Sequence, residues 1–140
     1  MKILVAIDGS PCSLQALETL ISHTDWFREP VEYQLIHVHP PLAYKRAVAW
    51  AGKEAVDSYY DEEAEEAIAP ARPILAERGV AYTVEKRVGD PAHEIVGHAK
   101  AAGFDMIVLG THGHTALVNL VLGSVATKVL AVSEVPVLLM

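Results

Sequence analysis

Five short apolar segments alternate with four amphipathic stretches, and this alternation constrains the fold more than any other feature of the chain. The apolar segments span residues 1–8, 31–38, 80–88, 106–109 and 135–140. Near-continuous apolar runs of this length are typical of parallel strands that are covered on both faces. Parallel strands are joined by right-handed crossovers, so the order β-α-β-α-β-α-β-α-β predicts an open parallel sheet with helices on both sides.

The amphipathic stretches carry start and stop signals for helices. Ser10-Pro11 and Asp90-Pro91 each place a capping side chain before a proline, which favours a helix start. Residues 53–78 form one acidic helical stretch ended by Gly79, and its prolines predict a kink or a break near residue 69. Residues 124–133 form the last predicted helix, whose inward apolar positions are Val125, Val129 and Val132.

Length and composition limit the class of protein. With 140 residues, 51% apolar and 21% charged, the chain fits one globular domain over residues 1–140. A net charge of −7 argues against a broad nucleic-acid surface, and no apolar run is long enough to span a bilayer. Cys12, the single cysteine, is interpreted as a small packing residue, and the expected compartment is the reducing cytoplasm.

In open parallel sheets, ligands bind beyond the carboxyl ends of the strands, where the winding reverses. The pattern therefore indicates three positions for a ligand: after Asp8, after Val38 and after Leu109. The loop over residues 42–52, between the second strand and the acidic helix, is the expected place for ligand specificity.

The segment after Leu109 is rich in glycine. Gly110 and Gly113 leave the fourth strand, and Gly123-Ser124 opens the last helix. Gly110 is expected to let backbone approach a ligand, and Gly113 to permit a positive φ. The unpaired amides and the dipole of a helix start favour an anion such as phosphate. A simple strand-to-helix turn is the alternative, and the spacing matches neither a Walker-type loop nor the dinucleotide fingerprint.

Other polar clusters allow competing hypotheses. The pairs His37–His39 and His112–His114 have a spacing that permits a four-histidine zinc site, although zinc sites commonly use cysteine as well. The acidic residues between 61 and 66 are interpreted as a solvated helix face. Ser124 has no identifiable activating base, so a binding module describes the chain better than a hydrolase with a catalytic triad.

The string G-x2-G-x9-G-[ST], formed by Gly110, Gly113, Gly123 and Ser124, resembles the ATP-binding signature of the universal stress protein family. KILVAIDGS, LIHV, VGDPAHEI and GSVATKVL resemble further landmarks of that family and occur in the same order. This resemblance covers essentially the whole chain. It implies a three-layer, Rossmann-like α/β/α fold of the adenine nucleotide alpha hydrolase type, with a five-stranded parallel sheet in the order 3-2-1-4-5.

The resemblance also implies roles for individual residues. Asp8 matches a carboxylate near the adenosine, and the same side chain could also cap the turn that follows it. Val38 matches a residue that contacts adenine. Leu109 matches a residue beside the ribose and the base. The wall around ribose and phosphates is matched by Gly110, His112, Gly113, Gly123, Ser124 and Val125. In this family the phosphates of the nucleotide provide most of the Mg²⁺ ligands, so no protein metal ligand is expected. Many members have Lys or Arg where this chain has His114.

The expected function is therefore an adenine-nucleotide-binding module in a stress response, with ATP as the first ligand and ADP, AMP or a cyclic nucleotide as alternatives. A slow ATPase or phosphotransferase and a nucleotide-free dimeric scaffold are the competing functions. The bare apolar strand over residues 135–140 predicts a homodimer formed by antiparallel pairing of this strand. An unidentified protein partner is also expected, but no nucleic acid and no membrane.

Overall fold

The computed structural model describes residues 1–28, 30–42, 52–113 and 122–140. Its five strands form one parallel sheet in the order β3-β2-β1-β4-β5. They are β1 (Lys2–Ala6), β2 (Glu32–His39), β3 (Tyr82–Val88), β4 (Met106–Leu109) and β5 (Val137–Leu139). The expected strand order and the α/β class are both confirmed.

Five α-helices connect the strands in the described part of the chain. They are α1 (Pro11–Ser22), α2 (Lys53–Ile68), α3 (Ala71–Glu77), α4 (Pro91–Ala101) and α5 (Ser124–Val132). A short 3-10 turn over Thr24–Trp26 follows α1 and was not expected from the sequence. No helix among the described residues combines the length and the apolar character that crossing a membrane requires.

The predicted break in the acidic helical stretch is confirmed. Helix α2 ends at Ile68, and α3 starts at Ala71 after Pro70. Proline has no N–H and its ring clashes with the preceding turn, so Pro70 cannot continue α2. Pro73 is tolerated because it lies in the first turn of α3, where N–H groups have no intrahelical acceptor. Gly79 follows α3 with φ +64°, as expected for a glycine that ends a helix.

The helix starts at Ser10 and Asp90 are also confirmed. Ser10 Oγ accepts a hydrogen bond from Ser13 N at 3.2 Å, and Asp90 Oδ1 accepts one from His93 N at 3.2 Å. Each side chain satisfies an amide that has no partner inside its own helix. These caps set where α1 and α4 begin, directly beyond the carboxyl ends of β1 and β3.

Each face of the sheet has its own apolar core. One core joins β1 and β2 to α1, α2 and α3 through Ile3, Val5, Leu17, Leu35, Ile68 and Leu75. The other joins β1, β2 and β4 to α4 and α5 through Leu4, Ile36, Ile107, Ile95, Ala99, Ala126 and Val129. Successive strand residues alternate between the two cores, as the period of a β-strand requires. The three-layer arrangement follows from this alternation.

One prediction about the last helix is wrong in part. Val129 is fully buried, but Val125 is 36% and Val132 46% exposed. The face of α5 that meets the sheet carries Ala126 and Val129, which are three positions apart and therefore neighbours on the helix surface. Val125 instead lies at the cavity described below.

Candidate functional site

A cavity of about 640 Å³ opens where the carboxyl ends of β1, β2 and β4 meet. Its walls are the segments that follow these three strands, the first turn of α5, the start of α4 and one side of α2. Because α1 and α5 lie on opposite faces of the sheet, this is where the winding reverses. The position agrees with the one expected from the strand pattern.

All nine residues singled out from the sequence line this one cavity. They are Asp8, Val38, Leu109, Gly110, His112, Gly113, Gly123, Ser124 and Val125. They come from four separate segments of the chain, so only the assembled sheet places them together. His114 lies outside the described residues, as do residues 43–51 of the loop expected to set specificity.

The carboxylate of Asp8 lies between the turn after β1 and the segment after β4. Its Oδ1 accepts a hydrogen bond from Ser10 N at 2.9 Å, which gives Asp8 the turn-capping role expected of it. A Cβ built on Gly113 would lie 2.6 Å from Asp8 Oδ2. The expected positive φ of Gly113 is wrong: the glycines with positive φ among the described residues are Gly9, Gly52, Gly79 and Gly103. Gly113 instead makes room for a carboxylate.

Gly110 has a second reason to be a glycine, which the sequence did not predict. A Cβ at this position would lie 2.9 Å from the carbonyl carbon and oxygen of Cys12 and 3.0 Å from Ser13 N. These are backbone atoms of the first turn of α1, which rotation of a side chain cannot move aside. Gly110 lines the cavity, but its missing side chain permits the close approach of β4 and α1. Cys12 contributes its backbone carbonyl to this contact, and its side chain is half-buried.

The first turn of α5 lines the cavity, and its first backbone N–H groups have no acceptor within the helix. The first intrahelical bond joins Thr127 N to Gly123 O at 2.9 Å, so the N–H groups of the three preceding residues have no acceptor within the helix. Gly123 is the N-cap and provides no side-chain cap. Its own N–H donates to Thr111 O at 2.7 Å, which holds the helix start against the segment after β4. Such a helix start attracts anions.

His37 lies beside the cavity and was considered from the sequence only as a metal ligand. Its Nδ1 is 2.8 Å from the carbonyl oxygen of Ile7. A carbonyl can only accept, so Nδ1 carries the proton and Nε2 is left as an acceptor. Burial lowers the pKa of His37, which keeps the ring neutral at pH 7. Nε2 is buried and has no hydrogen-bond partner among the described residues.

The histidine pairs do not build a metal site in the described part of the chain. His37, His39 and His112 all line the cavity. Within residues 1–28, 30–42, 52–113 and 122–140, no group of three or more histidine, cysteine or acidic side chains is arranged to hold a metal ion.

Helix α2 brings acidic side chains to the cavity that the sequence interpretation missed. Glu63 and Glu66 line it. The expected solvated face is nevertheless confirmed, because the acidic residues of this cluster are exposed except for the half-buried Glu63. Asp61 and Glu65 point the other way, toward β3, where Lys86 Nζ lies 3.4 Å and 2.9 Å from their oxygens. The spacing of three between Glu63 and Glu66 was the available signal, because it places both residues on one helix face.

Solved structures of similar fold contain adenine nucleotides. A universal stress protein in complex with cAMP has a TM-score of 0.71 and 22% identity, covering 100% of this chain and 96% of that one. A universal stress protein family protein from Arabidopsis thaliana with AMP bound has a TM-score of 0.70 and 18% identity, covering 100% of this chain and 90% of that one. The universal stress protein from Archaeoglobus fulgidus in complex with dAMP has a TM-score of 0.69 and 22% identity, covering 99% of this chain and 96% of that one. At these identities the likeness is one of fold.

Relatives of higher identity span nearly the whole chain. The structure of the protein MJ0577 has a TM-score of 0.83 and 29% identity, covering 99% of this chain and 94% of its own. Universal stress protein YxiE of Bacillus subtilis is 32% identical over 145 residues, 99% of this chain and 97% of its own. Universal stress protein MJ0531 of Methanocaldococcus jannaschii is 34% identical over 138 residues, 98% of this chain and 79% of its own.

The family model of the universal stress proteins matches residues 1–140. Sheet order, glycine-lined wall and relatives therefore agree, and this chain belongs to the universal stress protein family.

Proposed function

We propose that this chain binds an adenine nucleotide in the cavity at the carboxyl ends of β1, β2 and β4, and serves as a binding module in a cytoplasmic stress response. The observation that carries the proposal is the first turn of α5, whose N–H groups have no acceptor within the helix and which lines the cavity together with Gly110 and Gly113. Nucleotide-binding folds hold phosphate at helix starts of this kind. The family members with cAMP, AMP and dAMP support adenosine as the remainder of the ligand.

The lining residues divide between the parts of the nucleotide. Asp8, with a carboxylate held at Ser10 N, accepts hydrogen bonds from the ribose hydroxyls. Val38 and Leu109 contact adenine and ribose, because both are apolar residues at strand ends. Around the phosphates lie Gly110, His112, Gly113, Gly123, Ser124 and Val125. When ATP is the ligand, Mg²⁺ is coordinated mainly by its phosphates.

The experiment is identification of the ligand carried by the purified chain. The protein is purified, denatured and filtered, and the released small molecules are analysed by mass spectrometry. Calorimetric titration with AMP, cAMP and ATP plus Mg²⁺ follows. An adenine nucleotide released or bound at one site per chain supports the proposal. Absence of any nucleotide in both measurements overturns it.

Binding without turnover is expected from this site. Steady ATP hydrolysis that is abolished by both Gly123→Val and Ser124→Ala would establish the competing function of a slow ATPase or phosphotransferase. Hydrolysis that survives both substitutions comes from a contaminant. Nucleotide binding with no turnover supports the binding module.

We also propose a homodimer through the outer edge of β5. Ile107 N donates to Pro136 O at 2.9 Å, and Met140 N donates to Leu109 O at 3.1 Å, so the backbone groups on either side of β5 face β4. Backbone groups alternate along a strand, which leaves those of Val137 and Leu139 on the outer edge. An apolar edge without a charged residue favours pairing with a second copy.

A further inference from the structure

The cavity is poor in positive charge. Its lining contains the carboxylates of Asp8, Glu63 and Glu66, and no lysine or arginine occurs among the described residues that line it. Glu63 Oε2 lies 4.0 Å from His39 Nε2, and its side chain is 42% exposed. These carboxylates therefore repel an anion that enters the cavity.

The lysines on the helices around the cavity already have acidic partners. Lys53 of α2 lies 3.3 Å from Asp57, Lys100 of α4 lies 2.8 Å from Glu134, and Lys128 of α5 lies 3.2 Å from Asp90. A lysine in such a pair contributes little net positive potential at a distance. None of these three lysines lines the cavity.

Among the described residues that line the cavity, the groups that attract an anion are therefore mainly backbone dipoles. The start of α5 is equivalent to roughly half a positive charge. The ring of His37 adds none at pH 7, since burial lowers its pKa. The Asp8 carboxylate is close to the phosphate wall, because its Oδ2 lies 2.6 Å from the Cβ position of Gly113. A single phosphate has room at the helix start, whereas further phosphates add negative charge to a cavity already lined by three carboxylates.

We infer that this cavity selects among adenine nucleotides by phosphate charge, so that a monophosphate or a cyclic monophosphate binds more tightly than a free triphosphate. A triphosphate enters as its Mg²⁺ complex, in which the cation offsets the charge of the outer phosphates. This inference rests on the proposed function, and it names the ligand class that the site prefers.

Calorimetric titrations of the full chain with AMP, cAMP and ATP, at one ionic strength and with EDTA present, test the inference. We expect AMP or cAMP to bind at least tenfold more tightly than ATP under these conditions. Addition of Mg²⁺ is expected to tighten ATP binding at least tenfold and AMP binding less than twofold. Metal-free ATP that binds as tightly as AMP overturns the inference.

Two double variants identify the carboxylates as the cause. Glu63→Gln with Glu66→Gln removes two charges from the lining, and Glu54→Gln with Glu62→Gln removes two from the same helix away from the cavity. The first pair should reduce the preference for AMP over metal-free ATP at least threefold, and the control pair should leave it within a factor of 1.5. Equal effects of both pairs overturn the inference.

The outcomes also separate this inference from the proposed function. A chain that binds none of the three nucleotides refutes both. A chain that binds all three with equal affinity in EDTA refutes only the selection by charge.

Discussion

The carboxylate of Asp8 occupies the space that a side chain on Gly113 would need, because a Cβ on Gly113 would lie 2.6 Å from Asp8 Oδ2. The two residues lie at the carboxyl ends of the neighbouring strands β1 and β4. The orientation of the Asp8 carboxylate, held by Ser10 N, thus depends on a glycine far along the chain.

Gly113→Ala is expected to reduce nucleotide affinity at least tenfold while the fold persists. The new methyl group displaces the Asp8 carboxylate, which can rotate, at the cost of its hydrogen bond to Ser10 N, worth about 1 kcal/mol. Calorimetric titration with AMP measures the loss, and Gly113→Val should abolish binding. Gly97→Ala is the matched control: its Cβ meets nothing within 4 Å in α4, so affinity should stay and stability rise by up to about 1 kcal/mol. Unchanged affinity in Gly113→Ala refutes the shared-space geometry.

Gly110→Ala is expected to destabilise the fold, in contrast to Gly113→Ala. Its methyl group meets backbone atoms of Cys12 and Ser13 at 2.9–3.0 Å, so β4 and α1 must separate. Overpacking of this kind costs about 1–3 kcal/mol. Urea unfolding measures the change in the free energy of unfolding. A Gly110→Ala variant as stable as the wild type contradicts the close approach of β4 and α1.

The stability of the chain is expected to fall below pH 6.5 in part because of His37. Burial lowers the pKa of this ring below its ordinary value of 6.5 in the folded state, so the unfolded chain takes up the proton first. The contribution is fully present above pH 6.5 and is lost as the pH falls toward the folded pKa. Urea unfolding between pH 7.5 and 5 should show a shallower decline for His37→Gln than for the wild type. Identical declines contradict a neutral buried ring.

Val137→Pro is expected to convert the proposed dimer to a monomer. Proline removes the N–H that faces the outer edge of β5, while the hydrogen bonds of Pro136 and Met140 to β4 remain. Val137→Ala keeps that N–H and should stay dimeric. Light scattering at micromolar concentration measures the assembly. A monomeric wild type refutes the dimer, and a dimeric Val137→Pro variant refutes this edge as its interface.

Local patterns in the sequence were sufficient for the elements and their order. The apolar runs of β1 and β4 indicate strands that are buried on both faces. The caps at Ser10 and Asp90 act within one helical turn. The break at Pro70 follows from the chemistry of a single residue. Such features depend on neighbours in the chain, and a sequence displays them directly.

Contacts between distant segments were decided by the tertiary structure. The tautomer of His37 depends on the carbonyl of Ile7, 30 positions away. The inward face of α5 is set by how the helix rests on the sheet, which buried Val129 and exposed Val132.

The sequence by itself determined a parallel α/β sheet with a glycine-rich segment after its fourth strand, because strand periodicity, caps and turn residues are local properties. Only the folded chain decided why Gly110 and Gly113 have no side chains, since those spaces are filled by Cys12 and Asp8. It likewise decided that Glu63 and Glu66 face the cavity. Steric exclusion and electrostatic repulsion act between atoms that meet only after the sheet has assembled.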